Sequence, residues 1–247
     1  MTNAIKVDTK PDADGADSGN GNADTLESQV SISIFLGILI LTVFVMPSVG
    51  VGELHTEWYS NVVFTVLFVS GISIAWRRRR LLILSSLVGV IAFSMRWIAW
   101  SRPTRFWELG DEISTLLVVL IIEYILVFQI FRRTGPITAV SIQAAVAIYL
   151  LFGMMWANAY LMAMQLDPHS FQSAVELSSS SVSEWYYYSY VTLTTLGYGE
   201  IVPLSRIARA LAVGEALTGQ LYLAVLIARL IGMEIISSQE RKSRNSR

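Results

Sequence analysis

The segment from Thr194 to Gly199, with the sequence Thr-Thr-Leu-Gly-Tyr-Gly, combines hydroxyl oxygens, backbone carbonyls and two closely spaced glycines. A pore passes a dehydrated alkali cation only where oxygen ligands replace the ion's hydration shell. Successive carbonyls of an ordinary strand point to opposite sides, whereas positive φ angles at Gly197 and Gly199 help to turn them to one side. Thr195 adds a hydroxyl oxygen at one end. These residue types and their spacing predict a cation-binding segment lined by backbone oxygen.

A short helix is predicted directly before this segment, running from about Trp185 through Thr194. The stretch Trp185–Pro203 is too short to cross a bilayer and lies between two longer apolar stretches. We therefore expect a re-entrant segment, which hydrocarbon tolerates only where protein or water covers the backbone. Ser181 and Glu184 form a capping box at the helix start. The negative C-terminal end of the helix dipole would stabilise a cation beside it.

The residues from Thr192 to Glu200, followed by Pro203, resemble the signature of the potassium channel pore superfamily. The resemblance covers Ile137 to Glu234, and it implies an outer helix, a pore helix, a selectivity filter and an inner helix. Because the chain has one such segment and four surround an ion, it implies a homotetramer around a central pore. The resemblance places the ion-binding filter at Thr195, Leu196, Gly197, Tyr198 and Gly199. The potassium ligands it implies are the carbonyls of Thr195, Leu196, Gly197 and Tyr198 and the Thr195 hydroxyl.

Two positions depart from the commonest form of this signature. Leu196 stands where valine is usual, and it contributes the same carbonyl, so selectivity is expected to survive. Glu200 stands where aspartate is usual, and it keeps the negative charge of the mouth with a longer reach, with Tyr187 as a possible partner. Filter support is assigned through the resemblance to Thr194, Glu200, Trp185, Tyr187 and Tyr188. An interfacial aromatic belt is the alternative for the aromatic run.

The last apolar stretch contains the residues expected to form the cavity and gate of the pore. Gly219 lies twenty residues after Gly199, as does the hinge glycine of the family, and close helix packing explains it equally well. Glu215 is expected to brace the pore helix from behind. The predicted hinge and cavity residues are Gly219, Gln220, Leu223, Ile227 and Ile231. The apolar members of this set could alternatively pack on the preceding helix.

The composition is that of a membrane protein. Hydrophobic residues make up 53% of the 247 residues and charged residues 15%, against about 25% charged in a soluble domain. There is no cysteine, so disulfides and thiol chemistry are excluded. The two histidines, His55 and His169, fall in predicted loops far apart in sequence. No cofactor is expected apart from K⁺ as the permeant ion.

Six apolar stretches predict an all-α membrane protein with six transmembrane helices plus the re-entrant segment, since ~20 apolar residues cross ~30 Å of hydrocarbon. Basic clusters at Arg77–Arg80, at Arg132–Arg133 and after Ile236 all fall on one side when six helices alternate, which predicts that both termini are cytoplasmic. We therefore expect a multi-pass protein of the plasma or inner membrane. The stretches are Val30–Met46, Val62–Trp76, Leu81–Trp100, Ile113–Phe131, Ile137–Met164 and Ile207–Ile236.

Four regions follow from these patterns: residues 1–28, 29–133, 134–236 and 237–247. The first is acidic and poor in apolar residues, which predicts a disordered tail. The second is a four-helix module whose fourth helix, Ile113–Phe131, contains no Arg or Lys, so we expect little voltage dependence. Glu123 and Arg96 are its intramembrane ionisable residues and could pair. The third is the pore domain, and the last is a short basic tail.

The function that these features favour is passive conduction of K⁺ through a tetrameric, carbonyl-lined filter. The alternatives are a weakly selective cation channel, suggested by Leu196 and Glu200, and a non-conducting regulatory subunit. An enzyme is disfavoured, because the helices contain no Ser/His pairing, metal cluster or phosphate-binding glycine loop. The expected partners are further copies of the chain, membrane lipid and K⁺, and not nucleic acid.

Overall fold

A computed structural model describes residues 17–45, 61–62, 64–71, 79–102, 104–132, 138–173 and 182–245. These residues are mostly helical, with two short strands beside the filter segment. A π-helical stretch, Leu41–Val45, continues the first helix. In chain order the elements are α1 (Asp17–Ile40), α2 (residues 64–71), α3 (Arg79–Ser101), α4 (Arg105–Arg132), α5 (Ala139–Leu166), β1 (Phe171–Ser173), α6 (Val182–Leu193), β2 (Ile201–Pro203) and α7 (Arg206–Asn245).

Three helices of the described residues are long and apolar enough to cross a membrane: Leu82–Ser101, Ala139–Leu166 and Arg206–Met233. A shorter apolar helix runs over Gln29–Phe44. The predicted stretch Ile113–Phe131 lies on the helix α4. The predicted stretch Val62–Trp76 lies partly outside the described residues. Among the described residues, the other five apolar stretches lie on helices, and the number of helices that span the membrane stays a prediction.

Helix α1 begins inside the segment 1–28 for which composition predicts disorder. Its first residue is Asp17, so the structure differs from the prediction over residues 17–28, while residues 1–16 lie outside the described part. Extending an existing helix costs far less than nucleating one. The apolar helix after Gln29 can therefore propagate backwards into a polar sequence that would not form a helix alone.

The helices α1, α4 and α5 meet in a shared apolar core. Phe35, Leu126 and Ile148 contribute one fully buried side chain from each helix. At one end of the module, the Arg105 guanidinium donates to the carbonyls of Gln165 (2.7 Å) and Leu166 (3.2 Å), where α5 ends. Carbonyls at a helix C-terminus lack intrahelical partners, so a cation there is favourable. This contact joins the start of α4 to the end of α5.

Arg96 pairs with a different acid from the one proposed on sequence grounds. It forms an ion pair with Asp111 at 3.4 Å and donates to the Asn61 side chain at 2.6 Å, rather than to Glu123. Glu123 lies more than three turns beyond Asp111 along α4, with Oε1 buried and unbonded. Partial burial raises the pKa of the Asp111 carboxyl above its ordinary value, and the charge of Arg96 opposes that rise.

A small antiparallel sheet lies beyond the filter segment. Strand β1 pairs with β2 in the register Phe171↔Pro203, Gln172↔Val202 and Ser173↔Ile201. Backbone amides of Leu204 and Ser205 also donate to the Ser170 carbonyl, at 2.8 and 3.2 Å. The sequence does not predict strand β1, because three residues carry no alternation long enough to detect.

Helix α7 is longer than predicted. It continues to Asn245, so residues 237–245 of the predicted basic tail are helical. Gln, Glu, Arg and Lys are good helix formers, and they extend the apolar helix without needing a buried face. The short helix α6 packs between α5 and α7, which is the arrangement that positions the filter segment.

Candidate ion-binding segment

The pore helix α6 ends at Leu193, one residue before the predicted limit. Thr194 and Thr195 form a turn in which their amides donate to Tyr190 and Thr192 carbonyls, at 3.0 and 2.9 Å. The amides of the next two residues, 196 and 197, both donate to the Val191 carbonyl. The capping residue Ser181 lies outside the described residues. The last carbonyls of α6 thus meet the first residues of the filter segment directly.

The backbone of the filter segment has a positive φ at every second residue. The values are 58° at Thr195, 60° at Gly197 and 83° at Gly199, and Leu196 and Tyr198 between them are not in this region. The two glycines adopt it without steric cost. Alternation of this kind reverses every second peptide plane relative to a strand, so it is the backbone geometry expected of carbonyls facing one side.

Every residue from Thr194 to Glu200 is exposed in the single chain. Leu196 is 54% exposed and Tyr198 65%. Added Cβ atoms at Gly197 and Gly199 would meet nothing within 4 Å. Within one chain, these glycines are therefore required for backbone conformation and not for space. A set of inward-facing oxygens cannot be closed by this chain alone.

Glu200 is held by a side chain of the pore helix. The Tyr187 hydroxyl donates to Glu200 Oε2 at 2.9 Å, which is the contact that sequence reasoning raised. Thr194, in the same predicted support set, donates its hydroxyl back to the Tyr190 carbonyl at 2.6 Å. One side chain therefore ties the segment after the filter to α6, and the other closes the turn before it.

Trp185 and Tyr188 lie behind the filter segment in an aromatic cluster. Trp185 is fully buried, and its ring packs edge-on against Phe171 with centroids 4.9 Å apart. Tyr188 contacts Tyr160, Phe171 and Trp185. Tyr188 and Tyr198 are both described, and their rings do not contact each other within the single chain. The cluster connects α5, strand β1 and α6, so it supports the pore helix more directly than the filter.

Gly219 makes a close packing contact with the end of the pore helix. A Cβ at Gly219 would lie 2.3 Å from the Leu193 carbonyl oxygen, a distance that no real side chain adopts. The Tyr149 hydroxyl reaches the same carbonyl at 3.4 Å. Of the two sequence interpretations of Gly219, packing is therefore seen directly. Bending at this glycine stays a prediction.

The remaining inner-helix residues of the predicted set lie on a free face of α7. Gln220 is exposed, and Leu223, Ile227 and Ile231 are 37%, 55% and 56% exposed. They do not pack on α5, which was the alternative for this stripe. The face is available either to a central cavity or to another copy of the chain.

Glu215 braces the pore helix, as the sequence indicated, but its partners were not foreseen. The side chain is fully buried. The Tyr160 hydroxyl of α5 bonds to Oε2, and the Ser189 hydroxyl of α6 lies 2.5 Å from Oε1. Tyr160 and Ser189 carry no motif of their own. A polar residue on the apolar face of a short helix, as Ser189 is, was the only signal that could have singled it out.

Residues 137–234 match the model of a protein family described as ion channel. This range coincides with the one over which the sequence resembles the potassium channel pore superfamily, and the match confirms that resemblance. No curated protein and no solved structure matches the chain. Helices α5 and α6 and the segment Thr194–Gly199 lie inside the matched residues, and the match ends within α7.

Proposed function

We propose that this chain is a subunit of a potassium-selective channel, a proposal that the match of residues 137–234 to the ion channel family supports. Ions would move passively down their gradient, and no enzymatic step is involved. The permeant ion is the only non-protein component that the proposal requires. It would be held by the carbonyls of Thr195, Leu196, Gly197 and Tyr198 and by the Thr195 hydroxyl.

The observation that carries this proposal is the alternation of positive φ at Thr195, Gly197 and Gly199 directly after a helix C-terminus. Carbonyl oxygens turned to one side can replace the hydration shell of K⁺. The partial negative charge at the end of α6 stabilises a cation beside it. Leu196 supplies its carbonyl as valine would, so the substitution leaves the ligand set complete.

A homotetramer follows from the exposure of the filter residues and from their single occurrence in the chain. The oxygens of one chain cover one side of an ion, and closed cyclic symmetry brings equivalent segments together around an axis. The exposed face of α7 would then line the cavity below the filter. Copies of the chain and membrane lipid are the partners that this arrangement requires.

The orientation that we propose places the filter mouth outside and both termini in the cytoplasm. Three of the six proposed membrane helices are supported by length and composition. The basic clusters at Arg77–Arg80 and Arg132–Arg133 and the basic residues after Ile236 then face the positive inner side. The membrane in question is the plasma or inner membrane of a cell.

The test is ion flux through purified protein reconstituted in vesicles. We expect K⁺ flux that barium blocks and from which Na⁺ is excluded. Equal K⁺ and Na⁺ flux would instead support a weakly selective cation channel, the alternative that the unusual residues Leu196 and Glu200 suggest. Absence of flux from correctly assembled protein would support a non-conducting regulatory subunit.

The Gly199→Ala variant tests the filter assignment itself. An alanine at a φ of 83° costs roughly 1–2 kcal/mol per subunit, so we expect loss of conduction or of selectivity. Gly37→Ala is the matched control, because Gly37 lies on α1 with nothing within 4 Å of an added Cβ. Normal K⁺ conduction by Gly199→Ala would refute the assignment.

A further inference from the structure

The side chains around Glu215 make three oxygen–oxygen contacts, but they have only two hydroxyl protons to share if the Glu215 carboxyl is ionised. Ser189 Oγ lies 2.7 Å from the Gly153 carbonyl oxygen and 2.5 Å from Glu215 Oε1. The Tyr160 hydroxyl bonds to the other carboxyl oxygen, Oε2. All three side chains are buried, with Ser189 and Glu215 fully so. Water therefore does not supply the missing protons.

A serine hydroxyl has one proton and donates one hydrogen bond. The Gly153 carbonyl oxygen is only an acceptor, and an ionised carboxylate is only an acceptor. Two oxygens at these separations need a proton between them, since they are closer than oxygens without one approach. One Ser189 proton cannot serve both contacts. A proton on Glu215 Oε1 completes the set.

We propose that Glu215 is held as a neutral carboxylic acid that positions the pore helix. Its Oε1–H donates to Ser189 Oγ, the Ser189 hydroxyl donates to the Gly153 carbonyl, and the Tyr160 hydroxyl donates to Oε2. Each oxygen pair then has one proton, and the chain of bonds joins α7 to α6 and α6 to α5. Glu215 touches no ion in this arrangement, so it is a positioning residue.

The surroundings of Glu215 favour the neutral form. The titratable side chains that face it are tyrosines: Tyr149 and Tyr160 from α5, and Tyr188 and Tyr190 from α6. Among the described residues, no basic side chain forms an ion pair with it or acts electrostatically on it. A buried carboxylate without a cation is costly, so the group retains its proton instead.

A consequence for conduction rests on the proposed function. Ser189 lies one turn before Leu193, where α6 ends and the segment Thr194–Gly199 follows. When Glu215 loses its proton to solvent, Ser189 keeps a single proton for two acceptors, and α6 loses its bond to either α5 or α7. We therefore expect flux to fall when Glu215 is deprotonated at alkaline pH.

Infrared difference spectroscopy of the full-length protein in detergent or vesicles tests the protonation state directly. We expect the spectrum of the parent minus that of Glu215→Gln at neutral pH to contain the carbonyl stretch of a protonated acid, shifted in heavy water. Carboxylate bands in its place would overturn the proposal. Glu123→Gln, which changes another buried carboxyl, should leave the Glu215 band intact. If Glu215→Gln does not assemble, Tyr160→Phe should shift the same band by removing the bond to Oε2, and an unshifted acid band would count against it.

Flux against pH tests the positioning role. In Glu215→Gln the amide N–H₂ donates to Ser189 and the amide oxygen accepts from Tyr160, so the decline of flux at alkaline pH should disappear. Ser189→Ala, which removes the chain of bonds, should reduce flux at all pH values. An alkaline decline in Glu215→Gln equal to that of the parent would refute the role. An acid band without any K⁺ flux would refute the proposed function and leave the protonation state standing.

Discussion

Thr195 has a φ of 58°, a conformation in which β-branched residues are outliers. The left-handed region costs a non-glycine residue roughly 1–2 kcal/mol, and such strain persists where the surroundings impose it and function uses it. Thr195 is also the residue whose hydroxyl and carbonyl are proposed as ligands. At this residue, the need to turn one more carbonyl outweighs the local preference of a threonine.

The contact between Tyr187 and Glu200 makes a prediction at the same scale. Tyr187→Phe removes the hydroxyl that donates to Glu200 at 2.9 Å, a bond worth about 1 kcal/mol. We expect a filter that loses conduction faster during sustained K⁺ current, measured as current decay in planar bilayers.

Tyr124→Phe is its matched control. Tyr124 is 58% exposed and stacks on Phe128, so removing its hydroxyl should leave the decay unchanged. Equal decay in Tyr187→Phe and in the parent would mean that this hydrogen bond does not hold the mouth.

Single residues show how far sequence reasoning reaches in this site. Gly197 and Gly199 announce positive φ because glycine is the residue that tolerates it, and both have it. The positive φ of Thr195 could not be predicted in this way, because threonine disfavours the left-handed conformation. The pairing of Ser189 with Glu215 joins residues 26 positions apart, and no local pattern encodes such a contact.

At the scale of elements, the pore helix α6 is fixed by close contacts from both neighbours. The Gly153 position of α5 is so near α6 that an added Cβ would lie 2.2 Å from the Tyr190 ring. The Tyr190 hydroxyl in turn donates to the Leu150 carbonyl at 2.7 Å. Gly219 gives α7 the equivalent close approach at Leu193. Small residues let helices approach in a membrane, where packing replaces the hydrophobic effect.

Gly219→Ala tests this packing. The new Cβ would meet the Leu193 carbonyl at 2.3 Å, and that oxygen belongs to the backbone, so one helix must move. Overpacking of this kind costs typically 1–3 kcal/mol. We expect a lower unfolding temperature of the assembled protein together with reduced flux.

The control on the same helix is Gly232→Ala, where an added Cβ meets nothing within 4 Å. Alanine stabilises a helix relative to glycine, so this variant should unfold at an equal or higher temperature. If Gly219→Ala were as stable as the control and conducted normally, the packing contact would be unimportant. A hinge role would then be disfavoured as well, because alanine stiffens a helix.

Helix α4 carries basic residues only at its ends, Arg105 and Arg132. Each elementary charge that crosses the field contributes about 2.3 kcal/mol per 100 mV, and α4 has none placed to do so. We expect gating-charge measurements to find little charge movement. Steep activation with several charges per subunit would show that another element senses voltage.

The two-stranded sheet of β1 and β2 is an element that the sequence does not predict. Helices of more than twenty residues can be predicted from the sequence, because an apolar run of that length indicates a membrane-spanning helix. A strand such as β1 exists only through its pairing with β2, and the two lie far apart in the chain. The length of α7 beyond Ile236 was missed because polar helix formers resemble a tail.

At the scale of the whole molecule, the single chain leaves large apolar surfaces uncovered. Many of its exposed apolar side chains lie on α3 and α7. Lipid can cover such a surface, but it cannot satisfy the exposed backbone of residues 196–199 within hydrocarbon. Protein or water must do so, which is why the proposed assembly places these residues at a central axis.

The native mass measures this directly. We expect the purified protein in a mild detergent to have four times the mass of the 27.4 kDa chain by light scattering corrected for detergent. K⁺ should raise the temperature at which this species dissociates, since a ligand of the assembled state stabilises it by mass action. A monomer that nevertheless conducts K⁺ would contradict the proposed geometry.

The continuity of α7 has a mechanical consequence. A helix of 40 residues is about 60 Å long, roughly twice the ~30 Å thickness of the hydrocarbon. Gly219 lies about a third of the way along, at the contact with the pore helix, and the longer portion forms a lever arm. A lateral displacement of the C-terminal end of α7 would therefore apply a torque to the contact between Gly219 and Leu193.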